Sequence, residues 1–423
     1  MNNTKSIVSL LLIILLLSLK SNFGFTQSNY TLQECEELYR KNNFLLLAEQ
    51  LNIDIAQANT VQAKIWELPY ISGEFNAINP QNRRVFDIGS KGQKGIAIEQ
   101  LVYLGGKKKA EIEFAKSAIP IAQLTLEQLV RTHLVELKQS YYSIYFDNLK
   151  LNSLRNKMAN IDTLVAAYSG QASKGNVPLK DVVRLQSLSL SLKNQYAEIQ
   201  KDIFSNQAII KIITGISNDI VPIFTEQEIN ELLSKKIIYQ LGGLKELAIE
   251  KNTELQTINR ILVSNDLFYK WQQTFSKPDL TIGASYDQRG GAFLNQANLT
   301  VGIPIPLWNR NKGNIVAAAS KTLQTQNLKN QKELEIKTNV EKAFKEFQFQ
   351  QSLFQRMSSE SLQNFEIVYN GVIQNFQKQN ITLIEFTDII ESYIESIVLL
   401  NDVKKQVILN GNNLNYIVNE KIF

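Results

Sequence analysis

Leu280-Thr-Ile-Gly-Ala-Ser-Tyr-Asp287 and Asn298-Leu-Thr-Val-Gly-Ile-Pro-Ile-Pro-Leu307 alternate apolar with small or polar residues. In the first, Leu280, Ile282, Ala284 and Tyr286 share one face, opposite Thr281, Gly283, Ser285 and Asp287. In the second, Leu299, Val301, Ile303, Ile305 and Leu307 share a face. A period of two is that of a β-strand. The polar stretch Gln288–Gln296 between them predicts a hairpin spanning 278–307. Strands of about ten residues with one apolar face have the length that crosses a bilayer within a β-barrel. A weaker copy lies upstream, at 69–103. There Ile71, Gly73, Phe75 and Ala77 oppose Ser72, Glu74 and Asn76. The polar loop Asn79–Gly92 follows, and the partner strand near Ile96–Tyr103 alternates less cleanly.

Outside these hairpins the pattern is helical. From Lys107 to about Ser173, Leu137, Tyr141, Ile144, Leu151, Leu154, Met158, Ile161, Val165 and Tyr168 recur, with Asn148 at the missing step. Steps of three and four, averaging about 3.5, are a coiled-coil period. A helix of about 65 residues would be roughly 100 Å long, more than a compact domain needs. A second long run covers Gly313–Gln377. Shorter helical runs cover Leu32–Glu67, Leu179–Thr214, Leu241–Phe275 and Thr382–Asn419.

The halves repeat. Leu32 and Leu241, like Pro69 and Pro278, stand 209 positions apart. After the hairpins the offset is 204, matching Lys174-Gly-Asn-Val-Pro-Leu179 with Lys378-Gln-Asn-Ile-Thr-Leu383. Such a repeat governs the whole fold. The expected division is a first repeat at 28–215, a linker at 216–240 and a second repeat at 241–423. Before them, Lys5, the apolar run Ile7–Leu19 and small or polar residues to Thr26 read as a secretory signal peptide over 1–27. No later stretch is apolar for about 18 residues, so membrane insertion would need β-strands or a surface helix.

Composition excludes most chemistry. The 45 basic and 40 acidic residues are too balanced for a nucleic-acid binder. One Cys and one His leave no intrachain disulfide and no Cys/His zinc site, so no metal or other cofactor is expected. His133 lacks the nucleophile and carboxylate of a triad, and Cys35 lacks close positive charge. Lys107-Lys108-Lys109 after Gly105-Gly106 lacks P-loop spacing and reads as a solvated helix start or an inner-leaflet contact rather than a phosphate-binding patch. No enzyme is expected.

Four strands per chain cannot close in lipid, because edge groups would stay unpaired. Closure needs at least eight strands, hence two, three or more copies. The long helices must bury their stripes against each other and against neighbours. A shared barrel continuing into a tube of helices follows.

These features resemble the TolC family of outer-membrane efflux proteins. The resemblance rests on the duplication, on Val301-Gly-Ile-Pro-Ile-Pro-Leu-Trp-Asn-Arg-Asn-Lys-Gly-Asn-Ile315, and on its weaker partner Glu99-Gln-Leu-Val-Tyr-Leu-Gly-Gly106. It rests also on the paired turns Gly175–Val183 and Asn380–Asp388. It implies a mainly α protein with a small β-barrel part. Long coiled-coil hairpins would form an α-barrel, and each chain would give four transmembrane strands to the twelve-stranded barrel of a homotrimer. It implies an outer-membrane exit duct extending into the periplasm. Its partners would be a periplasmic adaptor, an inner-membrane transporter and outer-membrane lipid. A periplasmic adaptor or a structural coiled-coil protein are the rival readings; neither accounts for two alternating hairpins.

The resemblance further implies site residues. Glu385 and Asp388 match in spacing an acidic pair lining the closed periplasmic entrance, with Glu where the family has Asp. Asp181 and Arg184, with Lys378 nearby, would join the contacts that hold the tube shut. Gly175, Asn176, Val177, Pro178 and Leu179, with Asn380, Ile381, Thr382 and Leu383, would be adaptor-docking tips; hairpin-turn chemistry alone also accounts for several of them. Trp308, Trp66, Trp271 and Tyr103 lie near strand–helix junctions and read as a membrane girdle or as junction packing.

Overall fold

The structure, a computed structural model, describes residues 28–78, 83–90, 92–290, 292–308, 310–357 and 359–423, with only the backbone described at 359–366. The signal peptide expected at 1–27 and part of the loop Asn79–Gly92 lie outside the described residues.

Strand β1 (Ser28–Tyr30) leads into α1 (Leu32–Asn42) and α2 (Phe44–Lys64). The predicted single helix over Leu32–Glu67 is therefore broken, at Asn43. The expected run Leu241–Phe275 breaks likewise at Asn252, into α7 (Leu241–Lys251) and α8 (Thr253–Thr274). Each Asn closes one helix through its backbone N–H, on Tyr39 O or Ala248 O. Each opens the next with its side-chain oxygen, which accepts from Leu46 N at 2.8 Å or Leu255 N at 2.9 Å. Asparagine is among the best residues for that N-cap role.

After β2 (Tyr70–Phe75) and β3 (Gln93–Val102), the long helical run splits at Ser117 into α3 (Lys107–Lys116) and α4 (Ala118–Ala172). Pro120 has no N–H for the Lys116 carbonyl, so the ladder cannot run through. Helix α4, with 55 residues, is still about 80 Å long. It packs antiparallel along α5 (Leu179–Thr214). The stripe read from the sequence is its core face: Leu137, Tyr141, Ile144, Leu151, Leu154 and Ile161 are buried.

The segment 216–240 is more than a linker. It carries β4 (Ile220–Pro222), paired in parallel with β1, and α6 (Glu226–Ser234). Thr225 and Glu228 form a reciprocal capping box on α6. Ile229 and Leu233 are buried, and Phe224 stacks on Tyr142 at 5.1 Å.

Strands β5 (Leu280–Arg289) and β6 (Phe293–Gly302) complete a four-stranded sheet in the order β2-β3-β5-β6. All neighbours are antiparallel, with Ile98 opposite Ala284 and Ala284 opposite Leu299. The expected loop Gln288–Gln296 contracts, since both strands run into it. At the other end β6 stops at Gly302 rather than continuing to Leu307, because Pro304 and Pro306 have no N–H for a ladder. The run Gly313–Gln377 becomes α9 (Lys312–Arg356) and α10 (Ser359–Gln377), and α11 (Leu383–Val418) returns along them. One core unites α4, α5, α10 and α11 near the helix turns, through Leu154, Leu185, Tyr369, Phe386 and Ile390. Among the described residues no helix is long and apolar enough to cross a membrane.

Candidate gate and membrane hairpins

The two helical hairpins end in turns built alike. At the first, Asn176 N–H donates to Gln171 O and Gly175 N–H to Ala172 O. At the second, 204 positions on, Asn380 N–H donates to Asn375 O and Gln379 N–H to Phe376 O. Both are Schellman caps, which need a left-handed residue after the helix. Gly175 supplies it with φ 76°, and Gln379 adopts φ 60° in the same place. Each asparagine side chain also ties back, Asn176 Nδ2 to Gln171 Oε1 and Asn380 Nδ2 to Asn375 Oδ1.

The entries to the following helices differ. Pro178 precedes α5 without a side-chain cap. Thr382 precedes α11 in a capping box: its Oγ1 accepts from Glu385 N, and Glu385 Oε2 accepts from Thr382 N at 2.8 Å. Those bonds, the backbone one foremost, hold the Glu385 carboxyl below its ordinary range. Glu385 is thus turned onto its own helix end. Asp388 points elsewhere: its Oδ1 accepts from Arg184 Nη2 at 3.1 Å, while Arg184 Nε donates to Thr387 Oγ1 at 2.9 Å. Arg184 and Asp388 are themselves 204 positions apart, so matching sites of the two hairpins meet. Asp181 joins no ion pair among the described residues. Of the tip residues, Leu179 is 71% exposed, while Ile381 and Leu383 lean on the core. Just beneath, Phe386 stacks on Phe376 at 4.2 Å.

At the opposite end, Trp308 lies beyond β6 and is 90% exposed. Trp66 is half-exposed and tilted against Tyr103, whose hydroxyl donates to Glu67. Trp271 stacks on Phe114 at 5.6 Å and meets Phe268 and Phe275. The structure thus separates an exposed Trp308 from a packed Trp271. Lys107 is a correction to the solvated reading. It is buried, donating to Asp279 Oδ1 at 2.6 Å and Lys277 O at 2.7 Å, over the Phe275 ring. This ties the start of α3 to the start of β5. Removing one partner of such a buried pair typically costs about 3–5 kcal/mol.

Two further ties between α4 and the second hairpin had little signal in the sequence. Asp147 and Lys150 on α4 interlock with Asp402 and Lys405 on α11, with contacts from 2.6 to 3.4 Å. Burial opposes the charge on Lys150, but its bonds to both aspartates outweigh that and raise its pKa. The recurring Asp-x-x-Lys spacing was the available clue. Lys157 sits 3.4 Å from the centroid of Tyr369, which stacks on Tyr393. Its place in an otherwise apolar period hid it. Also buried are Cys35, whose thiol burial pushes up to about 12, and the Nδ1 of His133, whose ring meets Tyr39 edge-on.

The comparisons with known proteins agree with this architecture. Residues 37–215 match the family model described as outer membrane efflux protein. The cobalt-zinc-cadmium resistance protein CzcC of Cupriavidus metallidurans is 22% identical over 362 residues, covering 85% of this chain and 82% of its own. Among solved structures, CusC aligns with TM-score 0.73 at 15% identity, covering 95% of both chains. The Campylobacter jejuni CmeC outer membrane channel aligns with TM-score 0.75 at 13% identity, covering 92% of this chain and 86% of its own. Residues 37–215 thus carry the match to the outer membrane efflux protein family, and the chain as a whole has the fold of outer membrane channels.

Proposed function

We propose that three copies form one passive exit duct, closed at rest by the helical turns around Arg184, Glu385 and Asp388. The observation that carries this is the pairing at the hairpin ends. Asp388 ties one hairpin to the other through Arg184 and Thr387, beside the ionised Glu385. Three copies would ring an opening with six carboxylates and three guanidiniums, a net negative charge whose potential favours cations. Exposed ion pairs are individually weak, about 0–1 kcal/mol, so a partner docking on the tips could exchange them. The exposed Leu179 and the turns at Gly175–Pro178 and Asn380–Leu383 offer that docking surface to an adaptor, with an inner-membrane transporter supplying the energy. No catalytic step is part of this reading. Trp308, with Trp66, Tyr103 and Trp271 behind it, marks the bilayer boundary. The name of the relative CzcC makes divalent metal ions the cargo to test first.

The test is single-channel conductance of the purified trimer in a planar bilayer. Glu385→Gln keeps a side chain able to complete the capping box, and Asp388→Asn removes the charge that holds Arg184. The wild type should show a small cation-selective conductance. The double variant should lose selectivity and conduct several-fold more. Unchanged selectivity and conductance would discard the gate, and an inserted trimer without conductance would overturn the duct.

A further inference from the structure

A cavity of about 520 Å³ opens where α1, α4, the end of α6 and α11 meet, far in sequence from the hairpin turns. Its volume lies in the range of small-molecule sites, about 300–1,000 Å³. Four cations line it, Arg131, Lys138, Lys235 and Lys421, against one acid, Glu420. Two of these five charges are already answered. Lys138 pairs with Glu36 at 3.2 Å, and Glu420 pairs with Lys251. Among the described residues, Arg131, Lys235 and Lys421 have no carboxylate within salt-bridge distance.

The remaining wall is apolar and rigid. Leu134, Leu232, Tyr142 and Phe423 contribute it. Phe423 is fixed by Asn415, whose side chain bonds its N–H and its carbonyl oxygen. Its ring lies on Phe347 and beneath Gly411. The polar ends of the wall are engaged: Tyr416 with Gln128 and Thr132, Asn412 with Ile408 O. What faces the cavity is therefore three positive groups without a salt-bridge partner among the described residues, Lys235 lying over the Phe423 ring at 5.6 Å, beside a hydrocarbon and aromatic surface.

We propose that this cavity binds a small amphiphilic anion, a carboxylate or phosphate ester carried on an apolar group about the size of one ring. The chemistry of the wall calls for both parts. A bare anion would leave the Leu134, Leu232 and Phe423 surface wet, and a neutral apolar molecule would take water from the partly buried Arg131 and Lys235 without replacing it by a counter-charge. Burial opposes the charge on two of these cations. Burial holds Arg131 below its ordinary value, and burial together with Lys421 does so for Lys235. A bound anion would relieve both.

Phenyl phosphate, benzoate, inorganic phosphate and phenol, each titrated calorimetrically into trimer held in lipid nanodiscs, test the proposal. Phenyl phosphate or benzoate should bind once per chain, at least tenfold tighter than inorganic phosphate and phenol. Whichever of the two binds tighter identifies the headgroup. Binding should weaken with salt and fall at least tenfold in Lys235→Gln combined with Lys421→Gln. Should that double variant fail to trimerise, Lys421→Gln alone carries the test, since Lys421 is exposed and lies beyond α11. Absence of saturable binding by both amphiphiles, inorganic phosphate binding as tightly, or variants that bind undiminished would each overturn it.

Discussion

At the scale of the residue, Gly175 and Gln379 do one job with unequal side chains. Both sit in the left-handed region at the close of a Schellman cap. Gly175 has nothing within 4 Å of where a Cβ would stand, so its value there is conformational rather than steric. Glutamine meets its own Cβ clash in that region, at about 1 kcal/mol. Gln379→Gly should therefore stabilise each chain by about 0.5–1 kcal/mol, and Gly175→Ala should destabilise by a similar amount. Thermal unfolding followed by circular dichroism checks this, with the two midpoints moving in opposite directions. Equal shifts of one sign would show that side-chain contacts, not backbone conformation, set the turns. Gln379 was legible only as an alignment partner of Gly175, because glutamine carries no turn signal of its own. The pairing of Arg184 with Asp388 was out of reach for another reason. The two residues are 204 positions apart, and only the packing of α5 on α11 brings them together.

At the scale of the element, what the periodicity made plain was the helices' existence and their buried faces; what it hid was where they stop. Asn43 and Asn252 show why. A period of three and four runs on through a single polar position, but one asparagine side chain there can start a new helix. Asn43 does more than cap. It is 4% exposed, accepts from Leu46 N, and donates to Ile213 O at 2.9 Å, tying α2 to the end of α5. Asn43→Ala strands a buried N–H and a carbonyl and should cost about 2–3 kcal/mol. Asn43→Ser keeps a capping oxygen for Leu46 N but not the donor to Ile213 O, and should cost less than the alanine. Denaturant midpoints for the two variants check this order, and an alanine variant as stable as wild type would reduce Asn43 to a passive bend. The hairpins show the complementary limit. Alternation placed β5 and β6, but side-chain faces carry no information on pairing length. The backbone extended both strands into the polar loop, while two prolines cut β6 short of Leu307.

At the scale of the whole molecule, the decisive fact is a sheet with two free edges. Among the described residues, strand β2 and strand β6 each pair on one side only. Their neighbours alternate in direction, so β2 and β6 run opposite ways. The β6 edge of one copy can therefore accept the β2 edge of the next and keep every pair antiparallel. An open edge in hydrocarbon leaves each unpaired N–H and C=O at a cost of several kcal/mol, so the sheet demands closure between copies. Strand counting permits any closed ring of eight strands or more, and three copies is the number we propose. Cysteine cross-linking decides it. Glu74→Cys on β2, combined in turn with Gln296→Cys, Asn298→Cys or Thr300→Cys on β6, samples the register across the joint. The natural Cys35 does not compete, being fully buried with its thiol pushed up to about 12. Oxidation in membranes should give covalent dimers and trimers for at least one pair, with a ladder that ends at three. A ladder ending at two or continuing past three would replace the trimer by that ring. Failure of all three pairs, with cross-linking restored between cysteines on β2 and β3 of one chain, would show that the edges do not meet.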